Sequence, residues 1–211
     1  MRLGIDFDNT LVSYDQLFHR LALERGLIPD SVPRNKNAVR DYLRAQGREP
    51  QWTELQGIGY GSRILEAEPF PHLLTTLTHL RQLPCDIYII SHKTKCPYLG
   101  QPVDLHQSAR HWLAANGLLA PQGPIAPSQV FFEETMAAKV QRIASTGCAS
   151  FIDDIPAVLT HPQFPSGTQR LLFDPVKTQP LHPAYKKVSS WLGVYTFLHT
   201  AHPNNRSQTP A

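Results

Sequence analysis

The stretch GIDFDNTLV, residues 4–12, joins an apolar segment to two carboxylates, and its interpretation decides the fold of the chain. Asp6 and Asp8 are two positions apart, so their side chains would share one face if a strand continues through both. Two like charges held together are costly unless a cation or a shared proton offsets them. Asp, Asn and Thr also favour turns and helix N-termini, so Asp8 could instead belong to a capped turn. The stretch alone leaves both interpretations open.

The length of 211 residues favours one domain, or one domain with a small insertion. Apolar residues make up 41% and charged residues 18%, which is enough to build a core. The formal net charge of +3 is too small to indicate a nucleic-acid partner. No apolar run approaches the ~20 residues of a membrane span, and the acidic N-terminus does not resemble a signal peptide. Three scattered cysteines indicate reduced thiols, so we expect a cytoplasmic protein without a membrane partner.

Apolar runs and helical spacing alternate along the chain. Continuous apolar runs predict strands at residues 2–6, 86–90, 129–132, 149–152 and 170–173, the last of these being the final strand. Segments with helical spacing, several of them ending at glycine, separate these runs. Continuous rather than alternating apolar strands are typical of a parallel sheet covered on both faces. The sequence therefore predicts an α/β fold with a doubly wound, Rossmann-like parallel sheet.

Polar side chains follow three of the predicted strands. They are Asp6 and Asp8, then Ser91, His92 and Lys93, and finally Asp153 and Asp154, with Lys139 early in the helix before the third of these strands. Ligands of such sheets bind outside the carboxyl ends of the strands. A single Asp after a strand is commonly a helix cap, but two Asp-rich strand ends in one sheet indicate a site.

Phosphoryl transfer is the chemistry that suits this set of groups. Carboxylate oxygens are preferred ligands of Mg²⁺, which also coordinates phosphate oxygens. A carboxylate can attack phosphorus, and a second carboxylate can protonate the leaving oxygen and later deprotonate water. A hydroxyl and an ammonium group can stabilise charge on the remaining phosphate oxygens.

Four short motifs resemble the signatures of the haloacid dehalogenase (HAD) superfamily in its phosphatase branch. DFDNT is similar to its first signature, DxDx[TV], and IYIIS to its second, an apolar strand that ends in Ser or Thr. Lys139 occupies the place of the third, and FIDD is similar to the fourth, an apolar strand that ends in two acids. Order, strand context and spacing agree over roughly residues 1–175, and four signatures in order are far more specific than one.

The resemblance implies roles for the four acids. Asp6 would be the nucleophile, and Asp8 the general acid/base with its backbone carbonyl on Mg²⁺. Asp153 would be a direct metal ligand, and Asp154 would support the metal and the lysine. The implied metal set is Asp6, Asp8, Asp153 and Asp154. Spacing alone does not say which acid of each pair has which role.

The resemblance also implies a phosphate-binding set. Ser91 and Lys139 would bind phosphate, with Lys139 also orienting the nucleophile. Thr10 would be a structural and hydrogen-bonding member of the first loop, and His92 would contact phosphate through its backbone amide. Asn9 departs from the family pattern, in which Gly is common, but Asn tolerates the left-handed backbone conformation.

We therefore expect a Mg²⁺-dependent phosphatase that hydrolyses a small phosphorylated metabolite through an aspartyl-phosphate. A phosphotransferase or mutase on the same fold, or a non-catalytic binding protein, are the alternatives. A dehalogenase is disfavoured because displacement of a halide needs no acid such as Asp8. The identity of the substrate and the oligomeric state are left open by the sequence.

About eighty residues separate Asp8 from Ser91, far more than a crossover helix requires. We expect the extra residues to form a helical cap, since the resemblance implies one after the first strand. The expected division is a core of residues 1–14 and 71–200, a cap of residues 15–70, and a disordered tail of residues 201–211.

Two features of the expected cap are weaker candidates for substrate contact. Arg40, Arg44 and Arg48 would form a basic stripe on a helix, for which a solvated face is the alternative. The segment GIGYGSR lacks the GK[ST] of a P-loop, so we interpret it as a flexible segment in which Tyr60 and Arg63 could meet substrate.

Overall fold

The structure, a computed structural model, describes residues 1–201 and divides into two compact units. The first unit contains Met1–Leu11, Phe70–His92 and the chain from Gly117 onward, and the second contains Val12–Pro69 and Lys93–Asn116. Residues 93–116 thus pack with the insertion, although the sequence places them with the core. The action of the insertion as a cap stays a prediction. Of the expected disordered tail at 201–211, Ala201 is the last residue of a helix, and residues 202–211 lie outside the described residues.

Residues 1–201 form eight strands and eight α-helices. The strands are β1 (Arg2–Ile5), β2 (Val12–Ser13), β3 (Glu68–Pro69), β4 (Asp86–His92), β5 (Val130–Glu133), β6 (Ser150–Asp153), β7 (Gln169–Phe173) and β8 (Lys186–Val188). The helices are α1 (Asp15–Glu24), α2 (Lys36–Ala45), α3 (Glu49–Gly57), α4 (Leu73–Gln82), α5 (Leu105–Ala115), α6 (Met136–Thr146), α7 (Pro156–Leu159) and α8 (Trp191–Ala201).

The first unit contains a six-stranded sheet in the order β5-β4-β1-β6-β7-β8, and every pair of neighbours is parallel. The chain builds outward from β1 to β4 and β5, and then returns to β6 on the other side of β1. This reversal creates a topological switch point between β1 and β6, and ligands of doubly wound sheets bind at the carboxyl ends of such strands. The predicted Rossmann-like fold is confirmed.

Helices cover both faces of this sheet. Leu172 belongs to a buried cluster that includes Val140 of α6 and Leu159 of α7. Its neighbour Phe173 must face the opposite side of the strand, and its ring contacts Trp191 of α8 at a centroid distance of 5.8 Å. The sheet is therefore the middle layer, with α6 and α7 on one face and α8 on the other.

The second unit is mainly helical around an aromatic cluster. Tyr14, Phe18 and Tyr60 meet edge to face at centroid distances of 4.9–5.9 Å, and Trp52 packs on Phe18 at 5.1 Å. The antiparallel ribbon of β2 and β3 belongs to this unit. Aromatic packing rather than a sheet provides its core.

The segment GIGYGSR contains helical turns, and its flexibility stays a prediction. Residues Ile58–Ser62 form a π-helical segment with a kink at Gly61, and Ile64–Glu66 form a 3₁₀ turn. A Cβ atom on Gly59 would lie 2.9 Å from the Phe18 ring, and one on Gly61 would lie 2.6 Å from Val103. The two glycines therefore allow close packing.

The predicted basic stripe is broken. Helix α2 ends at Ala45 and Gly47 has a φ of 67°, so Arg48 does not continue the face of the helix. Arg48 donates instead to the carbonyl of Leu27 at 3.2 Å, and Arg44 pairs with Glu49 at 2.6 Å. Arg40 pairs with its neighbour Asp41 at 2.8 Å, so local contacts account for all three arginines.

Besides the short strands β2 and β3, one strand of the large sheet and one helix were not predicted from the sequence. Strand β8 has the mostly polar sequence KKV, and it makes the prediction of residues 170–173 as the last strand wrong. Helix α3 contains Pro50 and has little apolar periodicity, although Pro is tolerated in a first helical turn. No helix within residues 1–201 combines the length and the apolar character needed to span a membrane.

Candidate active site

Asp6 lies directly beyond β1 with its side chain in the interior. Its backbone N–H donates to the carbonyl of Ile152 at 2.9 Å, so the ladder between β1 and β6 fixes its main chain. Its Oδ1 atom accepts from Ser91 Oγ at 2.8 Å and from Lys139 Nζ at 2.6 Å. Within residues 1–201, both side-chain hydrogen bonds of this carboxylate therefore reach the same oxygen, and Oδ2 accepts none.

Lys139 lies between two carboxylates. Thr135 caps the N-terminus of α6 by accepting from Ala138 N at 3.1 Å, and the first turn of the helix then carries Lys139 toward the sheet edge. Its Nζ atom donates to Asp6 Oδ1 and to Asp153 Oδ2, both at 2.6 Å. The three side chains are at most 5% exposed, so this is a buried network of charges.

Burial and charge act against each other in this network. Burial lowers the pKa of Lys139, but the charges of Asp153 and Asp6 outweigh it and hold the pKa above its usual value. Burial is the largest influence on Asp153, and together with the charge of Asp6 it raises the pKa of that carboxyl despite the nearby ammonium. The network therefore keeps the lysine charged and contains more negative charge than one lysine neutralises.

Asp154 completes an acidic group. Asp6, Asp153 and Asp154 each offer a carboxylate oxygen, and these oxygens lie within 4.8 Å of one another. Asp153 is further fixed because its Oδ1 accepts from the backbone N–H of Ile155 at 2.9 Å. Three carboxyl groups share one ammonium here, and their hard oxygen donors fit a divalent cation such as Mg²⁺.

Asp8 belongs to a turn and not to the strand. Strand β1 ends at Ile5, and the backbone N–H groups of Thr10 and Leu11 return to the carbonyl of Phe7 at 3.4 and 3.0 Å. Asn9 has a φ of 55°, the left-handed conformation expected from the sequence. The second acid is thus presented by a tight turn just beyond the first.

The other residues that follow the strands do not share the hydrogen bonds of Ser91 and Lys139 with Asp6. Thr10 lies in the turn and is fully buried, and His92 is exposed with its ring Nε2 3.1 Å from the carbonyl oxygen of Glu134. Lys93 belongs to the second unit, where its ammonium lies 4.8 Å from the centre of the Tyr60 ring. Phosphate contact stays a prediction for Thr10 and His92.

Arg63 is held by ion pairs within the second unit. Its guanidinium bonds to Glu24 and to both carboxylate oxygens of Glu66. These bonds raise the pKa of Arg63 above its usual value, with the hydrogen bond to Glu66 as the largest cause. The structure therefore accounts for this residue as a link between α1 and the 3₁₀ turn.

Asp174 follows β7 at the same edge of the sheet but has a structural partner set. It accepts from the backbone N–H groups of Thr178 and Gln179 at 3.1 and 3.0 Å and pairs with Lys187 at 2.8 Å. Burial raises the pKa of this carboxyl, but these bonds outweigh it and the pKa is lowered. Asp174 is an example of an acid that fixes a loop.

Sequence reasoning missed the contribution of Trp191 to this site. Its indole N–H donates to the carbonyl of Thr10 at 3.1 Å, across 181 residues of sequence. The sequence indicates only a helix that packs Trp191 on the core, and no local signal connects it to the turn.

No protein-family model matches the sequence, and a comparison with curated proteins finds no match. Similarity appears instead when the fold is compared with solved structures.

Several solved structures share the fold over nearly their whole length. A magnesium-bound protein from Bacillus subtilis, described as a HAD hydrolase, has a TM-score of 0.53 and 16% identity and covers 93% of this chain and 97% of its own. A HAD phosphatase from Thermococcus onnurineus has a TM-score of 0.51 and 13% identity, with coverages of 93% and 97%. A dehalogenase has a TM-score of 0.57 and 13% identity, with coverages of 93% and 96%. The protein therefore has the fold of the haloacid dehalogenase superfamily, as its four motifs predict.

Proposed function

We propose that the protein is a Mg²⁺-dependent phosphatase that hydrolyses a small phosphorylated metabolite through an aspartyl-phosphate on Asp6. The observation that carries this proposal is the way in which hydrogen bonds orient the Asp6 carboxylate. Ser91 and Lys139 both hold Oδ1, so the carboxylate has a fixed orientation while Oδ2 accepts no hydrogen bond from residues 1–201. An oriented nucleophile with one available oxygen is the arrangement that attack on phosphorus requires.

The proposed reaction has two steps on the same phosphorus. Asp6 Oδ2 attacks phosphorus as the bond to the leaving oxygen breaks, and the carboxyl group of Asp8 gives its proton to that oxygen. Asp8, now a carboxylate, then takes a proton from the water that attacks the aspartyl-phosphate. Phosphate leaves and Asp6 is restored. The hydroxyl of Ser91 and the ammonium of Lys139 stabilise charge on the phosphate oxygens.

The acidic group of Asp6, Asp153 and Asp154 would hold the metal. A bound Mg²⁺ would neutralise negative charge on phosphate and so let a carboxylate approach it. The magnesium-bound hydrolase from Bacillus subtilis supports this choice of ion by its similarity of fold.

Asp8 distinguishes this proposal from dehalogenation. Loss of a halide needs no proton, whereas an alkoxide leaving group does, and the chain supplies a half-buried second acid in the turn after the first. A phosphotransferase or mutase would use the same residues and would differ in the acceptor of the phosphoryl group.

The first test compares Asp6→Asn with the wild type on p-nitrophenyl phosphate and a panel of phosphorylated metabolites, with Mg²⁺ present. We expect the variant to fold and to lose turnover, because an amide cannot form the phosphoenzyme. Asp174→Asn is the matched control, since it changes another buried strand-end acid that has structural partners, and it should stay active. Turnover by Asp6→Asn, or full wild-type turnover in excess chelator, would contradict the proposal.

A second variant tests the role of the other acid. Asp8→Asn should lower turnover of alkyl phosphates by about 10²–10⁴-fold, the usual contribution of a general acid or base. The first step, formation of the phosphoenzyme, should slow less with p-nitrophenyl phosphate, since its leaving group needs little protonation.

A further inference from the structure

The N-terminus of α8 is tied to the turn that carries Asp8. Trp191, the first residue of the helix, is fully buried, and its indole N–H donates to the carbonyl oxygen of Thr10 at 3.1 Å. Thr10 is also fully buried, so water cannot replace this donor without a rearrangement. The carbonyl therefore depends on a residue far away in the sequence.

The bond to Thr10 restrains the end of a turn whose backbone is under local strain. The sheet ladder holds the N–H of Asp6, and the turn follows it. The bond from Thr10 N to Phe7 O is long, at 3.4 Å, and Asn9 adopts a left-handed conformation that L-residues rarely favour. Loss of the indole donor would leave the buried Thr10 carbonyl without this bond, and this favours a change in the conformation of the turn.

Trp191 is itself held rigidly. Its carbonyl accepts from Thr76 Oγ1 at 3.4 Å, and its ring packs on Phe173 at a centroid distance of 5.8 Å. Phe173 in turn packs against Phe70, whose backbone N–H donates to the carbonyl of Leu11 at 3.0 Å. The indole and this second bond therefore restrain two successive residues at the end of the turn.

We propose that Trp191 is a positioning residue that holds the turn of residues 6–10 so that Asp8 can protonate the leaving oxygen. The inference rests on the proposed phosphatase function for its catalytic consequence. It does not require Trp191 to touch substrate, because the direct bond of Trp191 to the turn is the one to the Thr10 carbonyl.

Trp191→Phe tests this inference because it keeps an aromatic ring and removes only the indole ring's N–H and part of its volume. We expect turnover of an alkyl phosphate such as glycerol 2-phosphate to fall about ten-fold, less than the loss expected for removal of the acid itself. Formation of the phosphoenzyme from p-nitrophenyl phosphate, measured as the burst of p-nitrophenol, should change less than about two-fold, because its leaving group needs little protonation. A general structural defect would lower both rates together.

Trp112→Phe is the matched control. Trp112 is fully buried in the second unit, and its indole N–H donates to the carbonyl of Ala67 at 2.8 Å. This variant removes the same kind of bond, so it should lower the melting temperature without changing the ratio of the two rates. Adding Trp191→Phe to Asp8→Asn should cause no further loss on the alkyl ester, because the group to be positioned is already absent.

Amide hydrogen exchange tests the restraint without any activity. Exchange at the Thr10 and Leu11 amides, which bond to the Phe7 carbonyl, should become faster in Trp191→Phe and stay unchanged in Trp112→Phe. If the wild type hydrolyses neither ester, the proposed function fails, and exchange still decides whether Trp191 holds the turn. If Trp191→Phe does not fold, Thr76→Val, which removes the hydroxyl that holds Trp191, must show the same faster exchange. Unchanged exchange, or equal losses in the first step with both esters, would overturn the inference.

Discussion

The two compact units of this protein place their charges in opposite environments. The first unit buries Lys139 between Asp6 and Asp153, with side chains at most 5% exposed. The second unit keeps Arg63 at its surface with Glu24 and Glu66, and these side chains are 31–44% exposed. The same chemical pairing therefore has different physical consequences in each unit.

Burial of an ion pair costs desolvation energy that its attraction often fails to offset, so a buried network is poor evidence for stability. Its presence at a sheet edge where ligands bind indicates chemistry instead. Exposed pairs in the second unit carry little desolvation cost and connect neighbouring helices. The contribution of an ion pair to stability therefore depends on how deeply it is buried. The following variants test this difference between the two units.

The largest effect on stability should come from Lys139→Met. Removing the ammonium leaves the carboxylates of Asp6 and Asp153 buried without their shared partner, which should cost about 3–5 kcal/mol of unfolding free energy. Urea unfolding in excess chelator measures this loss. Arg63→Met is the control from the second unit, and an equal loss in both variants would contradict the comparison.

Mg²⁺ should raise the unfolding free energy by binding to the acidic group of the first unit. If the cation binds the acidic group, a concentration of 100 times its Kd should raise the unfolding free energy by about 2.7 kcal/mol. Asp153→Asn should abolish most of this response, and Asp174→Asn should keep it. A thermal melt with and without Mg²⁺ provides the measurement, and an identical response in all three proteins would exclude this site.

Asp174 predicts a loss of stability in acid. The folded protein holds the pKa of this carboxyl below its ordinary value of 3.8, so the unfolded state binds the proton more readily. Its contribution is therefore complete above that ordinary value and disappears as the pH falls through the lowered pKa. Unfolding free energies measured from pH 6 downward should decline less in Asp174→Asn than in the wild type.

The smallest effect should come from Arg63→Ala. Solvent and salt screen exposed pairs, so the urea midpoint should move much less than in Lys139→Met. What difference remains should shrink in 1 M NaCl, where the Debye length is only about 3 Å. A large shift that persists in high salt would show that the second unit depends on these pairs as much as the first depends on its buried network.

Much of the first unit follows from local sequence. Apolar runs predicted β1, β4, β5, β6 and β7 to within one or two residues, because a fully buried strand must be apolar along its length. The same pattern failed for β8, a three-residue edge strand with two lysines. Edge strands are often short and charged, so their apolar signal is weak.

The part of the candidate site that lies at the ends of parallel strands was predictable from the sequence. Parallel strands bring their carboxyl ends to one edge, and this brought Asp6, Ser91 and Asp153 together as expected. The sequence did not distinguish a strand from a turn at Asp8, since Asp and Asn are compatible with either. The backbone between Phe7 and Thr10 resolves that question in favour of the turn.

The second unit was harder to predict, because its parts are distant in sequence. Residues 93–116 follow a core strand, and nothing in their pattern assigns them to the insertion. These residues pack with the insertion through the contact of Val103 with Gly61 and the hydrogen bond from Trp112 to Ala67. The local pattern reports which face of a segment is apolar, but it does not report which other segment covers that face.

The sequence by itself determined the α/β class, the succession of the core strands along the chain and the acids that follow them, because these depend on short-range periodicity and strand ends. Tertiary structure alone decided that Lys139 lies between Asp6 and Asp153, and that Trp191 holds the Thr10 carbonyl. Both arrangements join residues more than a hundred positions apart in at least one of their bonds. Such bonds become specific only when the packed layers exclude water and leave each buried polar group few partners within reach.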